Sequence, residues 1–197
     1  MTEARAVSLP VSREELASLR AGDEVLLTGP VFTARDATHA RLVAELDAHG
    51  GVLPYGLEGA TLFYAGPTPP AAGRPAGAIG PTTAARMDAW TPRLHEAGIV
   101  ATIGKGARSE AVRTSCAAAG SVYFATVGGV AALLATHVAA GQPVAYADLG
   151  TEALVRLELR DFPAFVAIDA TGADLYATAA GEWVSHTGAT TGEDDRR

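Results

Sequence analysis

The sequence predicts an α/β protein with a central, mostly buried sheet and flanking helices. Two observations lead there: short apolar runs alternate with stretches of helical periodicity, and glycine and proline mark the breaks between them. Runs that are apolar throughout suit strands covered on both faces. With 197 residues, 48% of them hydrophobic and 19% charged, the chain has enough apolar mass for one sizeable core.

Taken in order, Ser12-Arg13-Glu14-Glu15 reads as a capping box opening a short helix through Arg20. Glu24 to Leu27 is a strand stopped by Thr28-Gly29-Pro30. A helix from Ala34 to Ala48 follows, with Leu42, Val43 and Leu46 as its apolar stripe and Gly50-Gly51 ending it. Thr61 to Ala65 is the next strand, and the Pro/Gly/Ala-rich stretch from Pro67 to Pro81 reads as a loop. Pro81 to Gly98 is helical with a break before Pro92, Ile99 to Ile103 a strand, and Ser109 to Ala119 a helix. Strand Ser121 to Thr126 leads through Gly128-Gly129 into a helix from Val130 to Ala139. Val144 to Tyr146, Leu154 to Leu159 and Ala164 to Asp169 complete the strands. Residues 1–184 are expected to form one domain, and 185–197 a disordered tail.

A net charge of -7 argues against a nucleic-acid surface, which needs a basic stripe. No apolar run approaches the roughly 18 residues of a membrane span. The N-terminus lacks signal-peptide order, so the expected location is cytoplasmic. The lone Cys116 excludes a disulfide within the chain and a cysteine-ligated cluster built by this chain alone, and it reads as a small buried hydrophobe. No metal site, nucleophilic triad or dinucleotide fingerprint is present.

Fourteen of the fifteen basic residues are arginine; the exception is Lys105, in Ile103-Gly104-Lys105-Gly106. A compact ammonium enters spaces that a planar guanidinium does not. Lys105 also follows a strand, where ligands of α/β sheets tend to sit. The Gly98–Lys105 stretch is no P-loop, since five residues, not four, separate its glycines and Gly106 stands where Ser or Thr should be. Gly80-Pro81-Thr82-Thr83-Ala84-Ala85-Arg86 suggests a helix start with Pro81 at its first position. Thr82 and Thr83 would then face an anion, and Arg86 would lie on the same helix face. The same pattern also describes a capped helix with a solvated arginine. Thr33-Ala34-Arg35-Asp36-Ala37-Thr38-His39 places Arg35 at a strand-to-helix junction, with Asp36 favouring the helix N-terminus and His39 one turn on. Gly128 and Gly129 offer close backbone approach, or simply tight packing. Three cations at junctions suit a dicarboxylate, whose two ends each need charge-assisted bonds.

Seven segments in this order resemble the β subunit, or C-terminal domain, of iron-sulfur-dependent class I fumarate hydratases and tartrate dehydratases. They are Leu19-Arg20-Ala21-Gly22-Asp23, Thr33 to His39, Tyr64-Ala65-Gly66-Pro67-Thr68 and Gly80 to Asp88, then Ile103 to Gly106, Gly128 to Leu133 and Asp161-Phe162-Pro163-Ala164. The resemblance implies a swivelling β/β/α domain and a hydro-lyase adding water reversibly to fumarate. It further implies a partner α subunit carrying a four-iron four-sulfur cluster, and an α2β2 assembly. On the matching positions, Arg35, Arg86 and Lys105, with Thr83 beside them, would bind the substrate. Thr82 and Lys105 would be catalytic, Thr82 as the base. Asp36, His39, Gly128 and Gly129 would support them. An L-tartrate or methyl-dicarboxylate hydratase subunit and a non-catalytic dicarboxylate-binding module stay open as alternatives.

Overall fold

The computed structural model describes residues 4–179, so the expected tail at 185–197 and the domain end at 184 lie outside the described residues. The expected α/β architecture is present. Its strands are β1 (Arg5–Ser8), β2 (Glu24–Thr33), β3 (Thr61–Phe63), β4 (Ala101–Gly104), β5 (Val122–Ala125), β6 (Val138–Ala145) and β7 (Leu154–Ile168). Its helices are α1 (Arg13–Ser18), α2 (Asp36–Ala48), α3 (Thr91–Ala97), α4 (Glu110–Ala119) and α5 (Ala131–Leu134).

Strands β1 to β5 run parallel to their neighbours, and β7 runs antiparallel to β2, β5 and β6. Because β7 pairs with both β2 and β5, the path β2–β3–β4–β5–β7 closes into a ring, with β1 and β6 added outside it. The two-residue side-chain period then sorts the core into two clusters. Phe63, Ile103, Phe124, Val31 and Phe162, drawn from all five ring strands, pack in one. Leu62, Tyr64 and Tyr123 point the other way and pack under Leu42, Leu46, Leu94 and Cys116 of α2, α3 and α4.

Several elements differ from expectation. β1 escapes sequence pattern because only Val7 of its four residues is buried. β2 does not stop at Leu27. It bulges between Leu27 and Gly29, then continues through Pro30 to Thr33 on β7. The helix expected from Val130 to Ala139 is cut to α5 and one 3-10 turn, Ala135–His137, because Val138 onward pairs with β7. Pairing with an open strand edge overrides the helical preference of an alanine-rich run. The two late strands around Asp161-Phe162-Pro163 are a single strand, β7. Pro163 is tolerated there because β6 pairs only up to Leu159 and β5 only from Phe165, so that edge makes no ladder at Pro163.

Gly29 has a φ of 125°, and a β-carbon there would lie 2.3 Å from the Leu9 carbonyl oxygen. Gly29→Ala is expected to cost more than about 2 kcal/mol. A fall of about 5 °C or more in the thermal midpoint, followed by circular dichroism, is the expected result.

Candidate functional site

The loops that leave β2, β3, β4 and β5 emerge from the same end of four adjacent parallel strands, the end where α/β sheets place ligands. After β2, Arg35 caps α2 without a side-chain bond of its own. Glu152 supplies that bond from the turn before β7. Its carboxylate accepts from the Ala37 amide at 2.9 Å and lies 3.5 Å from the Arg35 guanidinium, while the Thr38 hydroxyl donates to its carbonyl.

After β3 comes Gly66. A β-carbon there would sit 2.8 Å from the Thr151 carbonyl oxygen and 3.2 Å from Arg35 Cδ, so glycine is what lets Arg35 cross the loop. Ala65 bridges Pro81, and the Thr82 amide donates to the Tyr64 carbonyl at 2.6 Å. Thr83 pairs with Lys105: the Lys105 amide donates to Thr82 at 3.2 Å, and the Ala84 amide to Lys105 at 2.9 Å. After β5, a β-carbon on Gly128 would lie 3.1 Å from Lys105 Cδ and 3.2 Å from Nζ. Arg86 joins the group through Asp36, donating from Nε at 2.9 Å and pairing through Nη2 at 2.9 Å. Arg35, Asp36, Thr82, Thr83, Arg86, Lys105 and Gly128 therefore form one contiguous patch.

Pro81 does not open a helix, contrary to expectation. The segment runs extended between the ends of β3 and β4, and its first turn is a 3-10 turn, Ala84–Met87. The Thr82 amide is already bonded to Tyr64, so no helix N-terminus presents it to an anion, and Thr82 and Arg86 share no helix face. The backbone groups left free at two strand ends take precedence over the proline signal. His39 is fully buried: Nδ1 is 2.9 Å from the Arg35 carbonyl oxygen, and the ring packs edge-on against Tyr64 at 5.0 Å. It supports Arg35 through the backbone rather than the side chain. Gly129 has a φ of 85°, and a β-carbon there would meet nothing within 4 Å.

The cations differ in what they meet. Arg35 and Arg86 each have a carboxylate partner, whereas Lys105 makes no ion pair among the described residues. Sequence reasoning missed Glu152, which carried no motif, and Arg108, which looks like an exposed residue ahead of a helix cap. Arg108 has a fully buried side chain that donates to Asp88 at 2.6 Å and to Thr91 at 2.8 Å, between the rings of Tyr64 and Tyr123. The other oxygen of Asp88 accepts from the Ser109 amide at 2.6 Å.

Residues 1–179 match the family described as Fumarase C-terminus. The chain belongs to this family. It is 40% identical over 152 residues to the anaerobic class I fumarate hydratase of Escherichia coli K12, covering 76% of this chain and 28% of that protein. It is 36% identical over 167 residues to fumarate hydratase 2 of Leishmania major, covering 84% and 29%. The chain thus spans less than a third of these relatives. Against the L(+)-tartrate dehydratase subunit beta of E. coli K12 it is 32% identical over 176 residues, covering 87% of the chain and 86% of that subunit.

Two buried histidines, His39 behind Arg35 and His95 on α3, give the fold a pH signature. Burial, with Arg108 nearby, pushes the pKa of His39 down to about 4 and that of His95 to about 3. In the unfolded chain both titrate near the ordinary 6.5, so the unfolded state binds protons that the folded state refuses. Their contribution is complete above pH 6.5 and is lost as pH falls toward the folded values. His39 alone is expected to cost about 3 kcal/mol by pH 4, measured by urea unfolding across pH 4 to 7. His39→Gln should flatten that slope.

Arg108→Leu leaves Asp88 without its cation and is expected to cost roughly 3–5 kcal/mol. Adding Asp88→Asn should recover part of the loss in the same unfolding assay.

Proposed function

We propose that the chain is the β subunit of an iron-sulfur-dependent hydro-lyase that adds water reversibly to fumarate. The observation that carries this is the gathering of Arg35, Arg86 and Lys105 beside Thr82 at four adjacent strand ends, in a chain of this family. In this reading the three cations and Thr83 hold the two carboxylates. Taking a proton from the carbon beside a carboxylate builds further negative charge. Fixed cations therefore stabilise that transition state more than the ground state.

Thr82 acts as the base. Its backbone is pinned on one side by Tyr64 and on the other by Lys105, which keeps the hydroxyl beside the ammonium loop. A neighbouring cation lowers the cost of ionising a hydroxyl. Arg35 and Arg86 are oriented by Glu152 and Asp36 before substrate arrives, while Lys105 is left to pair with the substrate. Gly128, lacking a β-carbon, leaves room beside it.

The donor set of the described residues does not fit an iron-sulfur cluster. Cys116 is buried, and burial pushes its thiol up to about 12. No group of three His, Cys, Asp or Glu is placed to hold a metal ion among the described residues. The cluster accordingly belongs to an α subunit in this proposal, with an α2β2 assembly in the cytoplasm. The match over 86% of a named β subunit supports a separate chain, and the higher identity to fumarate hydratases supports fumarate. The tartrate dehydratase match also supports a second reading, an L-tartrate or methyl-dicarboxylate hydratase subunit, which substrate assays of the assembled enzyme separate.

The chain alone should be inactive and become active with an α subunit and an anaerobically rebuilt cluster. Lys105→Arg is expected to lower kcat/KM roughly hundredfold, with the thermal midpoint within about 2 °C of the parent. Full activity in that variant overturns the assignment of Lys105.

A further inference from the structure

We infer that Tyr123 is a positioning residue for Lys105, its hydroxyl latching the loop that carries the ammonium; the inference rests on the reading of Lys105 as a substrate cation. Lys105 sits where β4 ends, between two glycines. On the strand side its path is well held: the Gly104 carbonyl accepts from the Thr126 amide at 2.9 Å, and both backbone groups of Lys105 bond the Thr82–Ala84 segment. On the far side stands Gly106, with a φ of 83° and open space where a β-carbon would sit. Glycine in such a conformation adds freedom at the point where the loop leaves the sheet.

One bond restrains it. The Tyr123 hydroxyl, reaching from β5, donates to the Gly106 carbonyl at 2.9 Å. The ring behind that hydroxyl is fully buried and lies 4.9 Å from the Arg108 guanidinium, so the donor is itself held in place. Arg108 is in turn fixed by Asp88, whose second oxygen holds the Ser109 amide just past the loop. Lys105 is thus clamped from β4 on one side and from Tyr123 on the other. The hydroxyl is separable from the rest, since phenylalanine keeps the ring and its stacking.

The experiment uses the enzyme reconstituted with its α subunit, together with this chain labelled with [13Cε]lysine. Lys105 is its one lysine, so labelling gives a single side-chain signal. Tyr123→Phe is expected to lower kcat/KM about tenfold while the thermal midpoint moves by no more than about 3 °C. The Lys105 signal should show faster, wider motion. In the Lys105→Arg background, the same change should cost less than about twofold, because two residues acting through one another are not additive.

Unchanged activity and an unchanged lysine signal in Tyr123→Phe, with Lys105→Arg impaired, overturn the latch and leave the substrate-cation reading standing. Equal losses in both backgrounds make Tyr123 merely structural. If Lys105→Arg keeps full activity, the substrate-cation reading falls, and the lysine signal alone decides whether the hydroxyl restrains the loop. Should Tyr123→Phe fail to fold, the parent protein still tests the idea: a freely mobile Lys105 signal there overturns it.

Discussion

A guanidinium sealed from water holds the loops of this protein in register. Burial alone would weaken the charge on Arg108, but Tyr64, Asp88 and Tyr123 outweigh it and leave the pKa above the ordinary arginine value. A charge buried this way is tolerated only when its partners are fixed around it, so each partner loses freedom in turn. Tyr64 belongs to the segment that accepts the Thr82 amide, and Tyr123 holds Gly106. Asp88 ties the 3-10 turn after Thr83 to the start of α4. The residues that would touch substrate hang on this interaction without being part of it.

Ring closure does the rest of the positioning. With β7 bonded to both β2 and β5, the four parallel strands between cannot splay, and their C-terminal ends stay neighbours. Two of the cations delivered there are already engaged by Glu152 and Asp36. That pairing lowers what each arginine gains from a substrate carboxylate, but it removes the entropy cost of orienting the side chain on binding. Lys105 carries the opposite balance: no carboxylate partner among the described residues, and a backbone held on both sides. Preorganisation is achieved through side-chain pairs for the arginines and through the main chain for the lysine.

How much of this was legible in the sequence depends on whether a residue's role is local. α2 and α4 could be read because periodicity and flanking glycines act within a few residues. Arg35, Thr82, Arg86 and Lys105 could be grouped because each sits in a recognisable segment, and the structure does place those segments together. Their roles in substrate binding belong to the proposal, which the Lys105→Arg variant tests at one of the four. The failures were all non-local. β6 took residues that look helical because β7 offered an edge, and β7 ran through Pro163 because neither β5 nor β6 pairs with it there, leaving that edge without a ladder. Pro81 looked like a helix start because the strand ends it would serve lie far away in sequence. Arg108 gave no signal, since a buried arginine differs from an exposed one only in its surroundings.

The glycines around Lys105 explain why a chain so poor in lysine keeps one there. A β-carbon at Gly104 would lie 2.9 Å from the Ala84 β-carbon and 3.1 Å from the Tyr64 ring, so the backbone before Lys105 is packed to contact on one side. Gly128 closes in on the side chain itself, at 3.1 Å and 3.2 Å from an ideal β-carbon to Cδ and Nζ. Only the bare α-carbon of glycine leaves that approach open. A guanidinium has a wide planar head and fixed donor directions, so in the same corridor it must turn away from Gly128 or push the loop back. An ammonium has three donors on a rotating point and passes through. The substitution that is neutral at exposed positions is therefore disruptive at this one, through shape and not through charge.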